Sequence, residues 1–155
     1  MRKVALICIG KANKYNDPWM LLAIQEYEKR LSRGYVFSYQ WFKTQEELMK
    51  FFPSICSSGQ SKIFALDAKG SQFDSQEWSE HIEKIYHSNG STHPIIFLIG
   101  GPDGYSNTVN EYLDSKHIQR ISFSKFTFTH QMIRVILMEQ MYRAYCIKEG
   151  IPYHK

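Results

Sequence analysis

No stretch of this chain approaches the roughly 20 consecutive apolar residues that a membrane-spanning helix needs. The opening MRKVALICIGK resembles the start of a secretory signal, but its apolar run covers only residues 4–9 and no small-residue cleavage site follows. It reads as a first strand. Cysteine is scarce: Cys8, Cys56 and Cys146 are odd in number, far apart and outside any CxxC pair. That excludes a disulfide framework and a zinc knuckle, and points to small buried hydrophobes in a reducing compartment, with the cytoplasm as the expected location. His81, His87 and His93 have no second carboxylate or thiol at ligand spacing, so no metal is expected. A GxSxG elbow, and with it a Ser-His-Asp hydrolase, is missing too. There is no linker, repeat or low-complexity segment. Charge of one sign is not in large excess either: the net charge is +4 over 155 residues, compatible with nucleic acid but no argument for it alone.

What is present is a regular alternation. Hydrophobic residues make up 43% and charged residues 22%, as in a soluble domain with a sizeable core, and residues 1–155 read as one domain. Strand patterns fall at 3–9, 35–42, 62–67, 95–99 and 118–122. Helix patterns fall between them. Asp17-Pro18 opens the first, to about 32, with Gly34 as the stop. Thr44-Gln45-Glu46-Glu47 opens a second, which Pro53 is expected to end. Asp74 or Ser75 caps a third, running to about His87 before Asn89-Gly90, and Ser106 caps a fourth, to about Asp114. A last helix spans about 130–148, while FSKFTFT at 123–129 reads equally as strand or loop. This order predicts an α/β fold, an open, mostly parallel sheet with helices on both faces. Ligands of such sheets lie beyond the carboxyl ends of the strands, where FLIGGPDGY turns out of the fourth strand. GGPDG is not GxGxxG and follows the wrong strand for a dinucleotide fingerprint, so the turn is either plain structure or one wall of a pocket.

The last helix, HQMIRVILMEQMYRAYCIKEG, is apolar around most of its circumference. An amphipathic helix on one sheet needs a single stripe. Either the fold encloses this helix or a second subunit covers it, and a homodimer is the favoured expectation. Glu139 and Arg143 are spaced to pair. Arg134 stands in the first turns, where a cation is electrostatically disfavoured, and a bound anion such as an RNA phosphate would explain it. The tail Pro152-Tyr153-His154-Lys155 offers a stacking ring, an imidazole and a phosphate partner, although chain ends are commonly inert. Basic residues concentrate in the last quarter with aromatics interleaved, several of which must be core.

FLIGGPDG, FTFTHQMIRVILMEQMYRAY and the terminal PYHK, in that order, closely resemble the RlmH family, bacterial ribosomal large-subunit pseudouridine N3-methyltransferases of the SPOUT superfamily. VALICIGK at the start, EYEKRL in the first helix and ALDAKG at 65–70 extend the likeness over the whole chain. The resemblance implies a SPOUT sheet with a deep C-terminal trefoil knot, a homodimer, and S-adenosyl-L-methionine bound at Leu66, Gly100 and the run Phe123, Ser124, Lys125, Phe126, Thr127 and Phe128. It implies methyl transfer to N3 of a pseudouridine in 23S rRNA, on the assembled 70S ribosome. His154 is the candidate for proton handling or for orienting the base, Tyr153 for stacking or hydrogen bonding, and Arg134 for the developing anion or a phosphate. The family usually has proline before the helix histidine. Here Thr129 stands there, and threonine can cap the helix instead. The alternatives are a non-catalytic ribosome-binding or assembly factor of the same fold, and a Rossmann-like enzyme acting on a small molecule.

Overall fold

The computed structural model describes residues 1–10 and 18–155. Asp17, expected to cap the first helix, lies outside the described residues. Five strands, β1 (Arg2–Ile9), β2 (Tyr35–Phe42), β3 (Lys62–Gln72), β4 (Ile95–Ile99) and β5 (Gln119–Ser122), alternate with five helices, α1 (Pro18–Leu31), α2 (Gln45–Ser57), α3 (Ser75–Asn89), α4 (Asn107–Ser115) and α5 (Met132–Glu149). The sheet order is β2-β1-β4-β3-β5 and every pairing is parallel. β4 lies in the middle, and all five of its residues are buried, because a central strand meets apolar side chains on both faces. On one face α1, α3 and α5 cover Leu6, Phe64 and Phe97. On the other α2 and α4 cover Ile7, Ala65 and Leu98. The order is in keeping with the knotted C-terminal part that the resemblance implies.

Local chemistry sets the helix ends. Thr44, Asp74 and Ser106 each accept the backbone N–H three residues on, and Asp74 with Glu77 forms a full capping box. Pro53 does not end α2: it lies inside, and the helix continues to Ser57. Proline removes one helical donor, and the burial of Leu48 and Phe52 against the sheet offsets that loss. The fold covers part of the apolar circumference of α5: Leu137, Met138, Met141, Ala144 and Cys146 are buried, whereas Met132, Ile133, Val135, Ile136 and Ile147 are half-buried. The helix lies on the sheet beside α1 and α3, and no residue from 131 to 147 is exposed. Exposed apolar side chains occur on α1, at Trp19, Leu21 and Leu22, and also at Val36, Phe51, Phe126 and Ile151.

The departure that matters most is in β3. It runs past Asp67 to Gln72, because Leu66 and Ser71 share the same partner, Ile121 of β5. Residues 67–70 are therefore an excursion at the carboxyl end of the strand. Gly70 closes it: a Cβ there would stand 2.5 Å from the Ile121 amide nitrogen, a contact only glycine avoids.

Candidate cofactor cavity and tail

Three segments leave the carboxyl ends of adjacent strands and enclose a cavity of about 670 Å³. The β3 excursion supplies Leu66, Asp67 and Ala68. The turn after β4 supplies Gly100, Gly101, Pro102, Gly104 and Tyr105. The loop between β5 and α5 supplies Phe123, Ser124, Phe126, Thr127, Phe128, Thr129 and His130. The GGPDG turn is closed by the Gly104 amide donating to the Gly101 carbonyl, with Gly104 at φ 71°, a value that favours glycine. Gln45, at the start of α2, pins the turn from outside: its amide donates to the Gly104 carbonyl, and its oxygen accepts the Ser106 N–H. Tyr105 folds back beneath the turn, its hydroxyl 2.9 Å from both the Leu66 and Leu98 carbonyls. Burial first, then Asp67, holds its phenol far above the ordinary range, so it stays protonated.

The loop 123–131 has no strand pairing, which resolves the FSKFTFT ambiguity. Thr129 does cap: its hydroxyl accepts the Met132 N–H at 3.2 Å and its carbonyl accepts the Ile133 N–H. Leu66, Gly100, Phe123, Ser124, Phe126, Thr127 and Phe128 thus share one cavity, and Lys125 is not among the residues lining it. Asp67, Tyr105, Asn110 and His130 also line the cavity, and sequence reasoning had not singled them out. Tyr105 and Asp67 lay inside quoted motifs; Asn110 carried no signal. Burial, and then the charge of Arg134, lowers the His130 pKa, so its ring is neutral at neutral pH.

Arg134 is outside the cavity lining and 3% exposed. Its guanidinium lies 4.7 Å from the centre of the Trp41 ring, and its Nε donates to the His130 carbonyl. The π face offsets part of the cost of a buried cation at this helix end. Burial lowers its pKa, while Cys8 and Tyr39 work the other way. Cys8 is pushed up to about 12 by burial and stays a thiol. Cys8 and Cys146 are buried, Cys56 is half-buried, and all three are free.

The tail is fixed rather than frayed. α5 ends at Gly150, and the Ile151 N–H returns to the Cys146 carbonyl, turning the chain back along the helix. Tyr153 donates to Glu139 at 3.1 Å and packs edge-on against Tyr142. Arg143 pairs with Glu139 at 2.5 Å, covers the Tyr153 ring at 4.9 Å and reaches His154 Nδ1 at 3.4 Å. An arginine can only donate, so this contact suits the tautomer in which Nδ1 accepts and Nε2 carries the proton. The structure does not bring this tail to the cavity of its own chain. From Ile133 at the cavity to Arg143 beside His154 is ten helical residues, about 15 Å. Among the described residues, no group of three or more His, Cys, Asp or Glu is placed to hold a metal, and no helix is long and apolar enough to cross a membrane.

An α/β fold with an all-parallel sheet, and a cavity built from loops at the carboxyl ends of β3, β4 and β5, is the class these features define. The family model described as "Predicted SPOUT methyltransferase" matches residues 2–154. Curated proteins named ribosomal RNA large subunit methyltransferase H are similar over nearly their whole length. The one from Christiangramia forsetii is 37% identical, covering 97% of this chain and 98% of that protein. The one from Cytophaga hutchinsonii is 35% identical, covering 98% and 99%. The chain belongs to the SPOUT methyltransferase family, in the branch that carries that name. Among solved structures, the SpoU methyltransferase AviRb from Streptomyces viridochromogenes, in complex with the cofactor AdoMet, aligns with a TM-score of 0.47 at 12% identity, covering 92% of this chain and 57% of that one.

Proposed function

We propose that this chain is an S-adenosyl-L-methionine-dependent methyltransferase acting on N3 of a pseudouridine in 23S rRNA, on the assembled 70S ribosome in the cytoplasm. The observation that carries the reading is the cavity itself. It is large enough for a nucleoside ligand, and it is walled by a glycine turn and a backbone-rich loop that offer main-chain groups to an adenine. Leu66, Gly100 and residues 123–128 would hold the cofactor, with Lys125 outside the lining of the cavity. When bound, the cofactor would supply an activated methyl group for transfer to N3, with its sulfonium becoming a neutral thioether and the N3 proton lost.

Positioning dominates such a transfer, because the nitrogen, the methyl carbon and the sulfur must align. The tail is suited to that task. With Arg143 donating to Nδ1, His154 presents Nε2–H as a donor, which favours orienting a base oxygen over removing the N3 proton. Tyr153 is locked by Glu139 and offers its ring for stacking. Arg134 is too buried to serve as an open phosphate site and would act by fixing the start of α5 below the cavity. The 15 Å gap between tail and cavity supports a homodimer in which the tail of a second copy completes each site. Exposed Trp19 and Leu22 on α1 supply an apolar face for it. Sedimentation at micromolar concentration is expected to give twice the monomer mass, and a monomer would remove the composite site.

The deciding test incubates the protein with labelled S-adenosylmethionine and 70S ribosomes from a strain lacking the corresponding gene, then digests the large-subunit RNA for mass spectrometry. Label on N3 of one pseudouridine is the expected result. Cofactor binding without label would sink the substrate assignment. Neither binding nor label would favour the non-catalytic assembly factor.

A further inference from the structure

Among the described residues Asp67 is the only carboxylate lining the cavity, and it is not solitary. Its Oδ2 accepts from Arg120 Nη1 at 3.1 Å and its Oδ1 accepts the Lys69 N–H at 3.0 Å. Arg120, on β5, also donates to Asn110 Oδ1 at 2.7 Å and to Asp114 at 2.8 Å. One guanidinium thus ties the β3 excursion, β5 and α4 together behind one cavity wall, and both Asp67 and Asn110 face that wall. The Arg120 pKa is raised by its hydrogen bonds to Asp114 and then to Asp67, against the cost of burial, so the clamp remains charged.

Two consequences follow for any ligand. The Asp67 charge is already compensated, so it is a poor counter-ion for a cationic group. Its lone pairs are not exhausted: a carboxylate has about four acceptor sites, and the described hydrogen bonds take one on each oxygen. One free lone pair on each of two oxygens held in a fixed plane suits two adjacent neutral donors.

We infer that Asp67 binds the vicinal hydroxyls of the cofactor ribose, and that Arg120 is the positioning residue that aims and neutralises it. This rests on the cofactor reading proposed above. A carboxylate accepting hydrogen bonds from hydroxyls in a partly closed cavity is worth about 10- to 100-fold in affinity. The same geometry disfavours a role toward the sulfonium or the amino group, because a cation gains little from a neutralised pair.

The experiment is calorimetric titration of S-adenosylhomocysteine, its 2′-deoxy and 3′-deoxy forms, and S-adenosylmethionine into the wild type, Asp67→Asn and Arg120→Gln. The wild type is expected to bind a deoxy form about 10- to 100-fold more weakly than the parent. Asp67→Asn should lose a similar factor for the parent and little more for the deoxy form, because both changes delete one interaction. Arg120→Gln leaves the carboxylate uncompensated, so its preference should shift toward the cationic S-adenosylmethionine over the uncharged-sulfur homologue. A purely structural clamp would not move that ratio. Deoxy forms that bind the wild type as tightly as the parent overturn the inference, whatever the variants do, so a variant that fails to fold does not protect it. Losses that compound fully, or an Asp67→Asn defect confined to S-adenosylmethionine, overturn it as well. A wild type that binds none of the four ligands would instead defeat the cofactor reading itself.

Discussion

The two ends of α5 are built on opposite plans. At its start the surroundings are loops, and the cavity is walled largely by glycine turns and by residues of the 123–130 loop. At its finish the surroundings are side chains: Glu139, Arg143, Tyr142, Tyr153 and His154 hold one another through an ion pair, hydrogen bonds and ring contacts. The first plan suits a small ligand recognised by shape and main-chain hydrogen bonding. The second presents a few polar groups at fixed angles, as is needed to orient a group on a large partner. One rigid helix carries both, so their separation of about 15 Å is set by helical rise and cannot be closed within one chain.

The strongest way to break this division is to strip the tail. His154→Ala should lower methyl transfer by about 100-fold or more, the range for a positioned proton-handling or polarising group, while cofactor affinity stays within about twofold. Single-turnover assays beside calorimetry read the two separately. If cofactor binding fell in step with rate, the tail would belong to the cofactor end and the division would fail. A mixed dimer of His154→Ala with a cavity-defective chain sharpens the point. One working site is expected if each site draws its tail from the other copy, and none if the tail serves its own chain.

The reverse break is Gly70→Ala. The added methyl would collide with the backbone of Arg120 and Ile121, which cannot swing aside as a side chain would. The excursion must then part from β5, at a cost of about 1–3 kcal/mol. Urea unfolding should register that loss, and cofactor affinity should fall because Asp67 and Ala68 move with the excursion. The tail should be untouched, so the residual rate at saturating cofactor should stay near wild type.

Much of the frame was legible beforehand because its signals are local. Alternating apolar strands and Ser, Thr or Asp caps placed the strand starts and the helix starts among the described residues within a residue or two, and the strand ends as well except that of β3, which runs on to Gln72 instead of ending at 67. What was illegible depends on contacts between distant segments. The polar run 67–70 reads as a turn, and only its packing on Ile121 makes it an excursion of β3. Pro53 reads as a stop because its penalty is local, whereas the burial that overrides it is not. The packing of α5 against α1 and α3, and the burial of Arg134 on Trp41, are of the same kind. Residues Leu66, Gly100 and 123–128 could be singled out only through resemblance, because no residue type among them carries a chemistry of its own. Asp67, the one charged acceptor that the described residues bring to the cavity, was hidden by its paired state: a carboxylate 53 residues from its arginine gives no sequence signal.

A smaller effect sharpens the tail side. Glu139 is the hub there, accepting from Arg143 and Tyr153. Glu139→Gln keeps the shape and removes the charge, so the tail should loosen and the rate should fall about tenfold, with cofactor affinity unchanged. Adding Tyr153→Phe should then cost less than it does alone, because both changes break the same contact. Fully additive losses would mean that Tyr153 acts through its ring and not through this bond.

The smallest effect concerns a residue outside both ends, and it separates catalytic pH dependence from the pH dependence of folding. His81 on α3 packs against Phe73 and Phe64, its Nε2 has no partner among the described residues, and its pKa is lowered by burial and then by Lys62 and Lys84. The unfolded chain therefore takes up a proton near the ordinary histidine value, while the folded chain resists until lower pH. In that window the unfolded state binds more protons, so stability rises with pH: the contribution is full above the ordinary value and is lost as pH falls through the lowered one. His130 at the cavity shifts in the same direction, with burial as its first cause. Urea unfolding at pH 7.5 and 5.5 should show the wild type losing more stability on acidification than His81→Phe, which keeps the ring stacking and cannot titrate. An equal loss in both would assign the acid sensitivity to His130 at the cofactor end, and a His130→Gln variant would then have to abolish it.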